Sequence, residues 1–130
     1  MALNPKQQRL ANQVTNGFKF PLYLVKSLPM GWIAGLRVRE LNENKCTTSV
    51  PFKFLNKNPF KSTYFAVQSM AAELSTATPC LLAITGQKPS VAFIIVDMKA
   101  TFTKKVLDPL CEAGALVWNE HRRGSAYKAA

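Results

Sequence analysis

Histidine is nearly missing from this chain: His121 is the only one in 130 residues. Structural zinc sites and Ser-His-Asp triads normally draw on imidazoles that are not available here, so no metal is expected. Cysteine is scarce as well. Cys46, Cys80 and Cys111 are odd in number and widely spaced, which points neither to a disulfide framework nor to a Cys-x-x-Cys metal pair and fits reduced thiols in a cytoplasm. No run approaches the roughly 20 apolar residues of a membrane span, and none behind Lys6 and Arg9 is long enough for a signal-peptide core. The expectation is a soluble cytoplasmic protein.

Negative charge is the third shortage. Seven acidic residues stand against 17 Lys and Arg, a formal charge of +10, and residues 1–61 hold ten basic and two acidic side chains. Such an excess favours anionic partners, whether phosphorylated ligands, nucleic acid or acidic membranes; a basic but unoccupied surface is the plain alternative. Nucleic acid is the weakest of these, because neither a stacking motif nor a recognition signature accompanies the charge.

What is present describes one globular domain. Its 130 residues are enough for one core and too few for two, and with 48% hydrophobic and 18% charged residues the composition is globular. There is no internal repeat and no low-complexity run. Leu3, Leu10, Val14 and Phe18 recur at roughly helical spacing between a possible cap at Asn4 and a stop at Gly17. The apolar stretch FPLYLVKSLPMGWIAG, broken by Pro21, Pro29, Gly31 and Gly35, reads as a broken helix or lid over the core. Residues 1–31 are thus expected to form a helical cover.

Residues 32–105 carry the central elements. Leu36 to Leu41 begins with a strand-like alternation, Asn42-Glu43-Asn44 supplies turn chemistry, and Cys46, Thr48, Val50, Phe52 and Phe54 then share one face. The pair predicts a β-hairpin, with Pro51 at an edge or a bulge. A helix is expected from Ser62 through Ser75, ended or kinked at Thr78-Pro79, with CLLAIT as a second segment up to Gly86. VAFIIV, Val91 to Val96, is β-branched and apolar on both faces, as an interior strand would be, and should run to about Thr103. Beyond Lys105 the pattern weakens. Residues 106–130 promise at most one short element around Ala113 to Glu120.

Within NPFKSTYFAVQSMAAELSTAT the central helix is apolar on nearly every face, which predicts burial on all sides. It carries one carboxylate, Glu73. An ionised acid among Ala71, Ala72 and Leu74 is costly unless it is paired, hydrogen-bonded or set at a cleft, so Glu73 is a candidate for chemistry.

A hairpin, a buried helix and an interior strand open the α+β hotdog fold, in which an antiparallel sheet wraps a long central helix. The segments NPF, YFA, AAELS and VDMKATFTKK resemble a family of uncharacterised hotdog domains related to phenylacetate-pathway acyl-CoA thioesterases, over roughly residues 30–105. Members of that family continue with two further sheet-forming segments, so the resemblance implies a shortened C-terminal part. It also implies an acyl-CoA thioester substrate, no cofactor, and a homodimer or dimer of dimers, since hotdog sites are usually built between subunits.

By the same resemblance, Asn58 and Glu73 match the family's Asn before the helix and its helical acid in order and separation. Tyr64, Phe65 and Ala66 stand where the family has His-Gly-Gly. Glu73 would act as base or nucleophile, Asn58 would orient the water or carbonyl, and the Phe65 and Ala66 N–H groups at the helix start would polarise the carbonyl. Tyr64 would contact substrate, and Lys57, Lys61, Lys104 and Lys105 would meet the phosphates of coenzyme A. Structural roles stay open beside these: a turn for Asn58, a solvated rim for the lysines, an interface carboxylate for Glu73. Binding an acyl thioester or fatty acyl chain without catalysis is the alternative function, consistent with the replaced His-Gly-Gly.

Overall fold

Asn4 starts the first helix with a reciprocal cap. Its side chain accepts from the Gln7 N–H at 2.9 Å while the Gln7 side chain accepts from the Asn4 N–H at 3.0 Å, so two otherwise orphaned donors are satisfied at the entrance to α1 (Pro5–Thr15). The computed structural model describes residues 3–95, 97–116 and 128–129. After α1 come two short helices, α2 (Lys19–Ser27) and α3 (Pro29–Ala34), broken at Leu28-Pro29 because proline brings no N–H to continue the first of them. Gly35 ends α3 at φ 80, where an added Cβ would also lie 3.1 Å from the Pro51 ring, so glycine answers both the backbone and the space. Where a helical cover is expected over 1–31, three helices run between Pro5 and Ala34.

The hairpin is present as β1 (Arg37–Leu41) and β2 (Lys45–Pro51), antiparallel. Asn42 sets the turn: its Oδ1 accepts from the N–H groups of Asn44 and Lys45, both at 2.9 Å. Cys46, Thr48 and Val50 are completely buried, as their alternation implies, but Ser49 on the opposite face is buried as well and accepts from the Arg39 side chain at 2.7 Å. The strand stops at Pro51 and does not reach Phe54, which opens a short 3-10 turn, Phe54–Asn56. The irregularity falls on β1, where the register shifts between Val38 and Glu40, while Pro51 closes β2 opposite Leu110. Past it, the Phe52 N–H takes up the donor role to the Pro109 carbonyl at 2.8 Å.

The central helix, α4, runs without a break from Phe65 to Ile84, through Pro79. A proline there forfeits one bond in the ladder, but the segment beyond it is held from outside. Thr78 and Leu82 are buried, and Gln7 of α1 donates its side-chain N–H to the Leu82 carbonyl at 3.1 Å. Nor is α4 buried on all sides. Val67, Ala71, Ser75, Thr78 and Leu82 form one buried stripe, at the spacing of a helix lying on a surface, whereas Phe65, Thr76, Cys80 and Leu81 are exposed.

That surface is an antiparallel sheet of order β1-β2-β3-β4. Its third strand is not the one the β-branched run suggested. Among the described residues of 88–109 there is no strand, and β3 is Leu110–Leu116, paired with the whole of β2 from Lys45↔Leu116 to Pro51↔Leu110. A two-residue β4 (Lys128–Ala129) adds to its far edge. Val91, Phe93, Ile94 and Ile95 are left exposed. Proximity to the helix explains the exchange: the Thr48 hydroxyl donates to the Ala71 carbonyl of α4 at 2.6 Å, and beside Thr48 the next strand places Ala113, 1% exposed. A small side chain fits under the helix there. The element expected around Ala113 to Glu120 begins earlier, at Leu110; residues 117–120 and His121 lie outside the described residues. Among the described residues no helix is long and apolar enough to cross a membrane.

Candidate functional site

The segment between β2 and α4 is a knot of short-range bonds. Asn58 Oδ1 accepts from the Phe60 N–H at 3.0 Å, the Ser62 N–H at 3.1 Å and the Ser62 hydroxyl at 3.1 Å. The chain then reverses, with the Asn58 N–H donating to the Ser62 carbonyl at 2.9 Å, and Lys61 is forced to φ 57. That left-handed conformation is uncommon for a residue with a Cβ. Asn58 therefore spends its acceptor on the turn, while its amide N–H groups donate to nothing among the described residues.

Asn56 fastens this knot to the body of the protein. It is 2% exposed, and its side-chain nitrogen donates to the Ala34 carbonyl of α3 and the Pro51 carbonyl of β2, both at 2.8 Å. Its own carbonyl accepts from the Tyr64 N–H at 2.8 Å, which fixes where α4 begins. On the other side, the Thr63 N–H donates to the Val106 carbonyl at 3.0 Å and the Gln68 side chain donates to the Thr63 carbonyl at 2.9 Å. The sequence reading missed Asn56, Thr63 and Gln68; as polar residues in a turn-rich stretch they carry no periodic signal, and only burial singles them out.

Between this knot and residues 102–106 lies a cleft of about 520 Å³, lined by Asn58, Phe60, Tyr64, Phe65 and Gln68 on one side and by Phe102, Lys104 and Lys105 on the other. That volume is of the size that small ligands occupy. Its wall is aromatic: Phe65 meets Tyr64 edge-on at 4.9 Å and Phe102 at 5.7 Å between ring centres. At its floor starts α4, a 20-residue helix with no side-chain cap and no acid in its first turn. Val67 and Gln68 return their N–H groups to the Tyr64 carbonyl. Those of Phe65 and Ala66 find no acceptor among the described residues, so the positive end of the helix is left open. Thr63, 2% exposed, holds a buried hydroxyl that is also without a partner.

The nine residues singled out from sequence divide unevenly. Asn58, Tyr64, Phe65, Lys104 and Lys105 line the cleft, and Ala66 follows Phe65 directly in α4. Lys57 does not line it; its ammonium sits 4.5 Å above the Phe54 ring, a cation-π contact. Lys61 does not line it either. Glu73 follows Ala71 of the buried stripe by two residues, about 200° around the helix, and so faces away from the sheet. Seven residues separate it from Ala66, roughly 10 Å along the axis. Half-buried and without an ion pair among the described residues, its carboxyl is raised above the ordinary value by desolvation. The thiols differ in setting: burial, with Glu40 nearby, pushes Cys46 up to about 12, and burial with Asp108 and Glu112 also raises Cys111. Both are free and buried, whereas Cys80 is exposed.

No protein-family model and no curated protein matches this chain. Its fold is similar to the crystal structure of a protein with unknown function from Chlorobaculum tepidum TLS, with a TM-score of 0.70 at 13% sequence identity. The similarity covers 91% of this chain and 66% of that one, so the chain spans just under two thirds of the other protein's length. At this identity the likeness is one of fold: an antiparallel sheet packed against a long helix.

Proposed function

We propose that this chain is a hotdog-fold acyl-CoA thioester hydrolase that works as a homodimer. The observation that carries the proposal is the pair of unpartnered N–H groups, Phe65 and Ala66, at the open end of α4 beside an aromatic cleft. A thioester carbonyl laid against them gains donors where negative charge develops on its oxygen. Lys104 and Lys105 on the opposite wall suit the phosphates of coenzyme A, and the Asn58 amide N–H groups suit the carbonyl or a water. Phe60, Tyr64 and Phe102 offer the acyl chain an apolar surface.

Glu73 is the base in this reading. It takes a proton from water as the water oxygen bonds to the carbonyl carbon; the carbon-sulfur bond then breaks, and the proton passes to the departing thiolate. Seven residues along the same helix is too far for this carboxylate to serve the carbonyl held at its own helix start. Glu73 of a second copy therefore supplies the base, which is why the proposed enzyme is a dimer. The residues around Glu73 on the outer face of α4, Ser69, Thr76 and Ala77, are small enough to admit a neighbour, and desolvation already raises the carboxyl in the single chain.

The test is thioester turnover over short, aromatic and long acyl-CoAs. Wild type should hydrolyse at least one class, with Glu73→Gln lower in kcat by about 100-fold or more; equal rates for the two would remove Glu73 from the chemistry. A second reading, acyl-thioester binding without turnover, is favoured by one observation: among the described residues no carboxylate lines the cleft. Tight binding of an acyl-CoA with no hydrolysis by either variant selects it.

A further inference from the structure

The helices α2 and α3 are apolar on both sides. Phe20 and Leu24 of α2 and Ala34 of α3 are buried in the core, which accounts for one side. On the other, Phe18, Leu22 and Val25 recur at i, i+4 and i+7, the spacing of a single helical stripe, and are 76%, 58% and 47% exposed. On α3, Trp32 and Ile33 lie opposite the buried Gly31 and Ala34 and are 50% and 41% exposed, with Met30 on the flank at 61%. Exposed apolar side chains on two successive helices mark a place of contact.

The charge around it identifies what it contacts. Lys19 and Lys26 are exposed along one edge of the stripe, and residues 1–39 hold three Lys and three Arg with no Asp or Glu, the first acid being Glu40. A Trp and a Phe among aliphatic side chains, bordered by lysines and without a single acid, is the composition of a surface that settles into the headgroup region of an anionic bilayer. A second copy fits less well. Two copies related by a two-fold axis would set the same patch against itself, bringing Lys19 and Lys26 toward their equivalents with no carboxylate on either patch to pair them.

We propose that the α2–α3 face docks on the surface of membranes rich in anionic lipid, inserting Phe18, Leu22 and Trp32 while Lys19 and Lys26 meet lipid phosphates. The face lies on the helical cover, and the proposal does not depend on thioester chemistry.

Sedimentation of the full chain with phosphatidylcholine vesicles, and with vesicles also containing phosphatidylserine, tests it. Wild type should pellet with the anionic vesicles and be released by salt. Leu22→Ser/Trp32→Ser should lower vesicle affinity about ten-fold or more, and each of Lys19→Glu and Lys26→Glu by about five-fold or more. All four positions are exposed, and an unchanged unfolding midpoint certifies that the variants fold. Brominated lipid should quench tryptophan emission in wild type and much less in Trp32→Phe, which retains Trp118. The proposal is overturned if wild type binds neither vesicle, if it binds both equally, or if the Leu22→Ser/Trp32→Ser variant binds as well as wild type. It is also overturned if that variant merely converts a dimer to a monomer without any vesicle binding, because a second copy then covers the face.

Discussion

Removing the Asn56 side chain should loosen the platform from which α4 starts. Asn56→Ala deletes a nitrogen that donates to the Ala34 and Pro51 carbonyls, both at 2.8 Å, from a position that is 2% exposed. Each lost bond forfeits about 1 kcal/mol, and each buried carbonyl left without a donor costs roughly 1–3 kcal/mol more if water does not reach it. Partial relaxation of the loop brings the expected loss to about 3 kcal/mol. For a domain of this size that lowers the melting temperature by roughly 10 °C. Urea unfolding followed by circular dichroism, with the slope m unchanged, measures it. Asn56→Asp is the matched control, because a carboxylate of nearly the same shape cannot donate to two carbonyls when ionised and should be at least as harmful at neutral pH. A loss below about 1 kcal/mol for the alanine variant, or an aspartate variant as stable as wild type, would refute the reasoning.

Three further outcomes follow from the geometry. Thr48→Val removes the hydroxyl that reaches the Ala71 carbonyl; because that carbonyl keeps its helical partner, the expected loss in chemical denaturation is about 1–2 kcal/mol. Glu73 is raised above its ordinary 4.5 by desolvation, so the folded state holds this proton more tightly than the unfolded chain; the stability it adds is complete below that value and drains away as pH rises through the folded one. Glu73→Gln should therefore gain stability relative to wild type as pH rises above about 4.5, and a gap in unfolding midpoints that is the same in acid as at neutral pH would contradict this. Finally, Cys80 should react with a thiol reagent in the folded protein while Cys46 and Cys111, buried and raised, react only on unfolding; two or more fast thiols per chain would show that the burial is wrong.

The parts of this fold that can be read from the chain are those where one local rule dominates. The Asn4 cap, the Asn42 turn and the buried face of Cys46, Thr48 and Val50 each rest on a few adjacent residues, and all three stand in the structure. Strand choice beyond the hairpin depends on what packs above it. Val91–Ile95 has the stronger β-propensity, yet beside Thr48, directly under the helix, β3 supplies Ala113, where bulk is a liability and propensity is overridden. Helix continuity through Pro79 was hidden for a similar reason, because the anchoring bond from Gln7 to Leu82 spans 75 residues of sequence. At the cleft, the Asn-Pro turn and the helix start were visible as motifs. Their connection to residues 102–106 was not, since it passes through the Thr63 and Val106 backbone and leaves no mark on side-chain pattern.

The most direct test of the proposed site is an amide chemical-shift titration of isotopically labelled protein with a non-hydrolysable 2-oxoalkyl-CoA, in which a methylene between carbonyl and sulfur keeps the carbonyl while removing the thioester. If the ligand's carbonyl region seats at the open end of α4, the Phe65 and Ala66 N–H signals should move most, with those of Lys104 and Lys105 next, and the shifts should saturate together. Signals that stay still at Phe65 and Ala66 while others move, or a spectrum unchanged at saturating ligand, would contradict the account.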